Sequence, residues 1–314
     1  MKCLILGGAG FIGSHLAQGL LAQGHEVRIF DRPNLMLPPE LSADPRIEWF
    51  EGDFLNQDDL AQVVPGSEVI FHLVSATLPK SSNDNPAYDV QSNVVGTLHL
   101  LELARLHGIR RVIFASSGGT VYGLPRSLPV SEAHATEPLV SYGITKLAIE
   151  KYLHMYRELY GIDYCVLRLA NPFGERQRVS AAQGAVAVFL HRALHGEMIH
   201  IWGDGSVTRD YIYIKDAVGA FIKAMNSTGE QRVFNIGSGQ GLSLNDILTA
   251  IEKLLGKPVA RNYESARKFD VPVNVLDITR AREHLGWQPA VRFEDGLVNT
   301  LAWMQQNPHA QTQA

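Results

Sequence analysis

Cysteine is almost absent from this sequence. Only Cys3 and Cys165 occur among 314 residues, and both lie in apolar, strand-like runs, where a buried free thiol is the ordinary state. Two isolated cysteines cannot build the disulfide framework of a small secreted domain or a four-ligand zinc site. We therefore expect no disulfide and no metal site.

Long apolar runs are also missing. No stretch approaches the ~18 residues that cross a bilayer, and the start, Met1 to Leu6, leads into a glycine turn without a small-residue cleavage site. We interpret this start as a first strand rather than a signal peptide, and predict a cytoplasmic protein. The formal net charge is only -4, which gives no overall attraction to nucleic acid or to an anionic membrane.

Repeats of fixed period are absent as well, and short β-rich runs alternate with longer amphipathic ones. This order predicts an α/β fold, with a Rossmann-type doubly wound parallel sheet followed by a smaller α/β lobe. We place the boundary before Asn171-Pro172-Phe173-Gly174, which gives a first domain at 1–170 and a lobe at 171–314, part of which returns to the first domain. The predicted strands are 2–6, 26–30, 46–51, 68–73, 110–116, 163–169 and 199–202. The predicted helices are 11–23, 57–64, 86–108, 140–160, 181–195, 243–255 and 293–306.

The first strand ends in a glycine-rich turn that opens a helix, Gly7-Gly8-Ala9-Gly10-Phe11-Ile12-Gly13. In a dinucleotide-binding turn the first glycine permits a sharp bend, the second lets the backbone approach a pyrophosphate, and the third lets the helix pack close to the strand. Gly7, Gly10 and Gly13 occupy these three places. The free N–H groups at the helix start would hold the anion. A tight turn without a ligand is the alternative interpretation.

Asp31 favours the dinucleotide interpretation. It ends the second predicted strand, about 20 residues after the turn, where a carboxylate accepts hydrogen bonds from an adenosine ribose. A carboxylate there repels a 2′-phosphate, so we predict NAD rather than NADP, and 1–170 as the NAD-binding domain. The adjacent Arg32 leaves NADP open.

Tyr142 and Lys146 are the candidate catalytic pair. They lie four apart at the start of a predicted helix and project from the same face. An ammonium beside a phenol favours the phenolate, so we expect the pKa of Tyr142 to lie below its usual value of about 10 and the phenol to act as a base. Such pairs occur by chance in many helices. The preceding loop, Ser116 to Gly123, supports the assignment, because it follows a strand end, where open α/β sheets hold their ligands.

With these residues the sequence resembles the extended short-chain dehydrogenase/reductases, the NAD-dependent epimerase/dehydratase family, and among them the UDP-hexose 4-epimerases. The resemblance runs from Lys2 to about Pro289. The segments that carry it are Gly7 to Gly13, Gly52 to Phe54, Asn93 to Thr97, Ser116 to Gly123, Tyr142 to Lys146, Asn171 to Gly174, Arg209 to Ile212 and Leu285 to Pro289. This ordered set is highly specific for the superfamily and less specific for one reaction within it.

The resemblance implies a set of cofactor contacts. The positions implied are Phe11 and Ile12 at the pyrophosphate, Asp31 and Asn34 at the adenosine ribose, Asp53 and Phe54 at the adenine, Leu73 at the nicotinamide, Asn93 in support of the site, and Tyr142 and Lys146 at the nicotinamide end. Each has a structural alternative. Phe11, Phe54 and Leu73 can be core residues, and Asn93 can satisfy buried backbone groups.

The loop before Tyr122 bears on the reaction. In the family, dehydratases carry an Asp-Glu pair at the places of Gly119 and Thr120, and decarboxylases carry a glutamate at Thr120. Without these carboxylates, oxidation at one carbon remains, with either return of the hydride or release of the keto sugar, and epimerisation is the simplest outcome. We therefore predict a nucleotide-sugar 4-epimerase acting on a UDP-hexose or a UDP-N-acetylhexosamine, with 171–314 as its substrate-binding lobe. A 4-keto reductase or dehydrogenase and a non-catalytic dinucleotide-binding regulator are the alternatives.

Gly118 departs from the family pattern. Epimerases usually place a serine or threonine there that bonds the sugar 4-hydroxyl, and glycine has no side chain for this contact. Ser117 and Thr120 are the nearby hydroxyls. We expect Thr120 to take this role, because the flexible Gly118-Gly119 pair would let the loop deliver it.

The resemblance also implies the substrate anchors. The residues implied are Arg209 and Arg267 at the diphosphate and ribose, Asp270 at the uridine ribose, Asn171 at the phosphates and Arg176 beneath the substrate. A guanidinium suits a bidentate phosphate contact. A surface salt bridge is the alternative for Arg267, and a solvated loop charge is the alternative for Arg176.

Asn274 is the candidate determinant of sugar size. It aligns with a position where some epimerases carry a bulky tyrosine that crowds the C2 substituent of the sugar. A smaller side chain with an amide is expected to admit an N-acetyl group. In the alternative, the segment shifts and Asn274 faces solvent.

Helices 86–108 and 140–160 resemble the pair that family members pack against a second subunit as a four-helix bundle. A C2 homodimer is therefore expected. In the alternative, both helices cover the sheet within one chain.

Overall fold

The computed structural model describes residues 1–77, 81–179, 184–266 and 271–308 of the chain. In chain order, its strands and helices are β1 (Lys2–Leu6), α1 (Phe11–Ala22), β2 (Glu26–Asp31), α2 (Pro39–Ser42), β3 (Ile47–Glu51), α3 (Gln57–Val63), β4 (Val69–His72), α4 (Pro86–Asp89), α5 (Gly96–Leu106), β5 (Arg111–Ser117), α6 (Ser141–Tyr160), β6 (Asp163–Leu169), β7 (Asn171–Phe173), α7 (Ala185–His195), β8 (Ile199–Trp202), β9 (Thr208–Tyr213), α8 (Ile214–Asn226), β10 (Val233–Ile236), β11 (Gly241–Ser243), α9 (Leu244–Leu255), β12 (Arg261–Glu264), β13 (Val273–Asn274), α10 (Thr279–Leu285) and α11 (Phe293–Gln306). A 3-10 turn (Ser81–Asn83) precedes α4, and a π-helical segment (Val90–Val95) joins α4 to α5.

Seven parallel strands form the main sheet, in the order β10-β6-β5-β4-β1-β2-β3. The central strands β1, β4, β5 and β6 are almost entirely buried. Near-continuous burial of apolar runs is the pattern of parallel strands that helices cover on both faces. The predicted Rossmann-type, doubly wound sheet is confirmed.

The strand order reverses at β1, because β2 and β3 lie on one side of it and β4, β5 and β6 on the other. Leu6 is level with Phe30 in β2 and with His72 in β4. The carboxyl ends of these three strands therefore lie side by side. Open α/β sheets bind ligands at such a switch point.

Helices pack on both faces of this sheet and close two apolar cores. On one face Leu20 of α1 and Phe221 of α8 belong to the larger core. On the other face Leu60 of α3, Leu100 of α5 and Leu153 of α6 belong to the second core. Burial on this scale fixes the sheet and, with it, the loops at its carboxyl edge.

The smaller lobe contains two further sheets. β9 pairs with β7, β11 and β13, and β8 pairs with β12. Two elements that follow residue 171 lie with the main sheet instead: β10 pairs with β6, and α8 packs on α1. The domain boundary at 170/171 stays a prediction.

Both cysteines, Cys3 and Cys165, are buried and free. None of the helices in the described ranges has the length and apolar character that a membrane crossing requires. Within the same ranges, no group of three or more His, Cys, Asp or Glu side chains is arranged to hold a metal ion.

Candidate active site

The glycine turn after β1 has no room for a side chain at Gly13. A Cβ on Gly13 would lie 2.2 Å from the carbonyl oxygen of Gly7 and 2.6 Å from the Cα of Gly8, and Gly7 has a φ of 85°, which favours glycine. The helix α1 begins at Phe11 with Gly10 as its N-cap, and no side chain caps its first turn. The first N–H groups of α1 thus keep their donors for an anion, and the bare backbone of the turn fits a dinucleotide pyrophosphate.

Asp31 lies beside this turn at the end of β2. Its Oδ2 accepts the N–H of Ala9 at 3.0 Å, and its Oδ1 accepts the N–H of Arg32 at 2.9 Å. Burial raises the pKa of this carboxyl, while those two hydrogen bonds and the charges of Arg32 and Arg178 oppose the shift. Ala9 and Asn34, which has a φ of 66°, line a cavity of about 410 Å³. Asp31 is therefore tied, through Ala9, to the wall of a cavity next to the turn.

Asp53 and Phe54 follow β3 and differ in exposure. Asp53 is exposed, and its Oδ1 accepts the N–H of Leu55 at 2.9 Å. The ring of Phe54 is buried against that of His72, with centroids 5.2 Å apart. The Phe54 side chain packs in the core beneath the site, so a contact with a ligand would use its backbone.

Three apolar side chains line the route from the turn to β4. Phe11, Ile12 and Leu73 are half-buried and pack against the larger core. The N–H of Leu73 donates to the carbonyl of Leu6 at 3.0 Å, which extends the pairing of β4 with β1. A Cβ on Gly7 would lie 3.2 Å from the backbone N of Val74. The turn and the segment after β4 are thus in direct contact.

Asn93 is buried and bonded on both sides of its amide. Its Oδ1 accepts the N–H of Ala76 at 3.1 Å, and its Nδ2 donates to the Oδ1 of Asp89 at 2.9 Å and to the Oγ1 of Thr77 at 3.3 Å. These contacts hold the segment that follows β4, which is what a supporting residue does.

Tyr142 and Lys146 lie in the first two turns of α6 and face the end of β5. The Nζ of Lys146 donates to the carbonyl of Ala115 at 3.0 Å. It lies 4.7 Å from the ring centroid of Phe114 and 5.5 Å from that of Tyr142. Lys146 is only 3% exposed, so the protein holds its ammonium beside the phenol.

Burial dominates the ionisation of this pair. It raises the pKa of Tyr142 to about 12; the carboxylate of Asp89 adds to the shift, and a side-chain hydrogen bond with Ser75 opposes it. Burial lowers the pKa of Lys146 to about 8, against the charges of Asp89 and Glu150. The expectation that the pKa of Tyr142 lies below its usual value is therefore wrong for this geometry, because burial is the largest cause and raises it.

The loop after β5 has a crowded glycine at Gly118. A Cβ there would lie 2.6 Å from the Cδ1 of Leu276, a residue with no exposed surface, so a hydroxyl residue does not fit without repacking. Ser117 is half-buried at the end of β5. The Oγ1 of Thr120 is buried and has no hydrogen-bond partner among the described residues.

A second cavity, of about 220 Å³, opens in the smaller lobe. The residues lining it include Asn171, Arg209, Trp202 and Tyr211. The Nδ2 of Asn171 donates to the carbonyl of Asp210 at 2.9 Å, and the Nη1 of Arg209 donates to that of Val271 at 2.5 Å. Trp202 and Tyr211 are not among the site residues predicted from the sequence. The position of Trp202 directly before the glycine turn at Gly203 is the one sequence feature that could have indicated it.

One predicted substrate residue, Arg176, is not brought to this cavity. The Nη2 of Arg176 donates to Glu40 at 2.5 Å and to Gln18 at 3.1 Å, next to α1 and α2. These contacts give no support to a position beneath the substrate. Arg267 and Asp270 lie outside the described residues.

Asn274 lies between Arg209, which lines the second cavity, and the loop after β5. It is level with Arg209 in the pairing of β13 with β9, and its Nδ2 donates to the carbonyl of Gly118 at 3.3 Å. Only 1% of Asn274 is exposed, so the alternative in which it faces solvent is wrong. Its Oδ1 is buried and has no partner in the described part of the chain.

Known proteins resemble the chain over nearly its whole length. A UDP-glucose 4-epimerase of Mycolicibacterium smegmatis is 41% identical over 307 residues, which cover 96% of this chain and 97% of the relative. The structure of a UDP-glucose 4-epimerase of Thermotoga maritima with UDP-glucose superposes with a TM-score of 0.91 at 36% identity and covers 98% of this chain and 100% of that chain. A UDP-N-acetylglucosamine 4-epimerase of Methanobrevibacter ruminantium, in complex with UDP-N-acetylmuramic acid, gives a TM-score of 0.90 at 28% identity and covers 98% of each chain.

The family model described as the NAD dependent epimerase/dehydratase family matches residues 3–237. That range includes the glycine turn, Asp31, the Tyr142 and Lys146 pair, and the second cavity's Asn171 and Arg209. The chain belongs to the NAD-dependent epimerase/dehydratase family.

Proposed function

We propose that this protein is an NAD-dependent UDP-sugar 4-epimerase. It would oxidise the sugar at C4 to a keto sugar and return the hydride to the opposite face. The observation that carries the proposal is the placement of Tyr142 and Lys146 at the end of β5, on the edge of the sheet where the glycine turn leaves β1. A proton acceptor and a dinucleotide turn then serve one reacting carbon. Gly119 and Thr120 offer no carboxylate for dehydration.

The first domain would hold the cofactor. We assign the pyrophosphate to the glycine turn with Phe11 and Ile12, the adenosine ribose to Asp31 and Asn34, and the adenine to Asp53 with the backbone of Phe54. Leu73 would flank the nicotinamide, and Asn93 would support that side through Ala76. Bound NAD supplies the hydride acceptor and a positively charged ring.

Tyr142 would take the proton of the sugar 4-hydroxyl. Because burial raises its pKa to about 12, the phenol needs neighbouring positive charge to lose a proton near pH 7. Lys146 supplies one such charge, since a pKa of about 8 leaves most of its ammonium protonated at pH 7. Lys146 would also bond the nicotinamide ribose.

Ser117 is a better candidate than Thr120 for the contact with the 4-hydroxyl. The Oγ1 of Thr120 is enclosed by protein, whereas Ser117 keeps partial exposure at the end of β5. A hydroxyl that solvent does not reach needs a loop movement before it can bond a sugar.

The second cavity would hold the nucleotide. Arg209 and Asn171 lie where cationic and amide donors can bind a diphosphate. Trp202 is 41% exposed at the same cavity, and an indole ring of this kind stacks on a nucleobase. Arg267 and Asp270 would complete the ribose and diphosphate contacts.

Asn274 would admit an N-acetyl group at C2 of the sugar. Its buried amide lies between Arg209 and Gly118, and its unpaired Oδ1 offers an acceptor for an acetamido N–H. A buried acceptor without a partner is costly, and a substrate donor would relieve that cost. UDP-N-acetylhexosamines are thus proposed substrates alongside UDP-hexoses.

A cytoplasmic homodimer is the proposed form of the enzyme. Leu106 of α5 and Leu159 and Tyr160 of α6 are 62%, 63% and 50% exposed, which leaves apolar surface on the two helices predicted to meet a second copy. Two buried free thiols suit a reducing compartment. A monomer mass by light scattering at micromolar concentration would refute the dimer.

Product analysis with defined substrates tests the proposed function. The protein is incubated with UDP-glucose, UDP-N-acetylglucosamine, a dTDP-hexose and a GDP-hexose, each with NAD, and the products are identified by NMR. We expect the C4 epimers of the UDP-sugars and no accumulation of NADH. Net oxidation or reduction of the sugar with matching turnover of free cofactor would instead identify a dehydrogenase or reductase. If none of the four substrates reacts, both the epimerase assignment and the dehydrogenase or reductase assignment are contradicted.

A further inference from the structure

The helix that carries Tyr142 begins without a capping side chain of its own. Its N-cap residue is Val140, which has no side-chain acceptor, although the first N–H groups of a helix need partners. Two residues from the segment before α4 supply them. The Oδ1 of Asn83 accepts the N–H of Ser141 at 2.9 Å, and the Oγ of Ser82 accepts the N–H of Tyr142 at 3.0 Å.

Asp89 completes this external cap. It has no exposed surface, and its carboxylate lies beneath the first turn of α6. Its Oδ2 accepts the Oγ–H of Ser141 at 2.6 Å and that of Thr145 at 3.3 Å. Its Oδ1 accepts hydrogen bonds from Thr77 and Asn93. The described donors to this carboxylate are thus neutral groups from α6, from the segment after β4 and from the π-helical segment.

The position of the Asp89 carboxylate is also favourable electrostatically. A negative charge at the start of α6 is stabilised by the helix dipole. The donors Ser141 and Thr145 flank Tyr142 and come before Lys146, so the carboxylate holds the turn from which both functional side chains project. Thr77 belongs to the segment that contacts the glycine turn through Val74, and Asn93 of the π-helical segment bonds the same segment through Ala76. One buried group therefore joins the cofactor side of the site to the helix of the base.

We propose that Asp89, with Ser82 and Asn83, is a positioning device that sets the first turn of α6, and so the phenol of Tyr142, against the cofactor segment. Asp89 acts through α6 and does not itself touch the reacting atoms. The inference rests on the proposed function only in naming Tyr142 as the base. Positioning of Tyr142 and stabilisation of the fold are separate roles, and they predict different results for variants of Asp89.

Three variants make that separation. Asp89→Asn keeps the size of the side chain but replaces one acceptor oxygen and removes the charge. Asn83→Ala removes an exposed cap and leaves the core intact. Asp216→Asn is the matched control, because Asp216 is also a buried carboxylate, but it accepts the N–H of Val291 in the packing of α8.

Hydrogen exchange measured by mass spectrometry is the primary readout, since it requires no substrate. We expect the peptide covering residues 139–147 to exchange at least ~10-fold faster in Asp89→Asn and in Asn83→Ala than in wild type, and at the wild-type rate in Asp216→Asn. Unchanged exchange of this peptide in the first two variants overturns the proposal. If Asp89→Asn does not fold, Asn83→Ala carries the same test.

Kinetics provide the second readout. We expect kcat of Asp89→Asn to fall roughly 10- to 100-fold with KM changed less than about twofold, as for a base held out of place. The acidic limb of kcat/KM should also move to lower pH, because one of the contributions that raise the pKa of Tyr142 is gone. The other ionisable groups around the pair, Glu150 on α6, His72 on β4 and Arg168 on β6, are the same in both proteins.

The outcomes are distinguishable from failure of the proposed function. If the protein has no epimerase activity, the exchange experiment still decides whether Asp89 and Asn83 hold the first turn of α6. If activity is present, a loss of kcat in Asp89→Asn that only parallels its loss of stability, with an unmoved acidic limb, would reduce Asp89 to a structural residue and overturn the proposal.

Discussion

The substitution Gly13→Ala tests the cofactor turn. The added Cβ would lie 2.2 Å from the carbonyl oxygen of Gly7 and 2.6 Å from the Cα of Gly8. Ordinary carbon contacts are about 3.5–4.0 Å. Both obstructing atoms belong to the backbone, so no change of rotamer relieves the clash and the turn must move by about 1 Å or more away from α1.

The expected magnitude follows from the hydrogen bonds at stake. A shift of this size takes the first N–H groups of α1 out of bonding range of a pyrophosphate, and one hydrogen bond to a charged group contributes roughly 1.5–3 kcal/mol. We therefore expect the Kd for NAD to rise at least ~10-fold, which corresponds to about 1.4 kcal/mol. Isothermal titration calorimetry of the purified protein with NAD measures this directly.

Gly19→Ala is the matched control, because it lies on the same helix. Its Cβ would meet the Cδ1 of Ile222 at 2.9 Å and the Cγ1 of Val218 at 3.1 Å. The Ile222 Cδ1 is the end of a flexible side chain and can yield, the Val218 contact needs a shift of only a few tenths of an ångström, and alanine also favours the helix by about 1 kcal/mol. We expect NAD affinity within twofold of wild type. Equal NAD affinity of Gly13→Ala and wild type would refute the assignment of the turn.

The remaining predictions concern the reacting groups. Tyr142→Phe should keep the fold and NAD binding while kcat falls at least ~100-fold, the scale for loss of a positioned base; a near-normal kcat removes Tyr142 from the mechanism. Ser117→Ala should impair turnover by about 10-fold or more, whereas Thr120→Val should leave it nearly unchanged; the reverse result assigns the 4-hydroxyl contact to Thr120. In Asn274→Tyr, kcat/KM for UDP-N-acetylglucosamine relative to UDP-glucose should fall at least ~10-fold. An unchanged ratio would mean that Asn274 is not the gate.

The main sheet could be predicted from the sequence because its signals are local. Apolar runs of strand length alternate with amphipathic helices, and six of the seven main-sheet strands follow this rule. α8 was missed, although Ile214, Ala217, Val218 and Phe221 recur at helical spacing on its buried face. The predicted helix 86–108 contains the π-helical segment Val90–Val95, which apolar periodicity does not reveal.

The site was predictable where short-range geometry decides. Gly13 could be predicted because the helix and the strand approach each other closely there. Asp31 could be predicted because the length of a βαβ unit sets the distance from the turn to the end of the second strand. Asp89 could not be found this way, because it acts on Ser141 and Thr145, more than 50 residues away in sequence. The direction of the pKa shift of Tyr142 could not be predicted from the sequence either, since the burial that raises this pKa arises only in the folded site.

The central claim is that one hydride leaves C4 of the sugar and returns to the same carbon. Incubation of the protein with UDP-[4-²H]glucose in ordinary water, followed by NMR of the product, measures the fate of that hydrogen. The account predicts UDP-galactose that retains deuterium at C4, in wild type and at a much lower rate in Tyr142→Phe. Loss of the deuterium to solvent or its appearance in free NADH would contradict an epimerisation in which the bound cofactor returns the hydride.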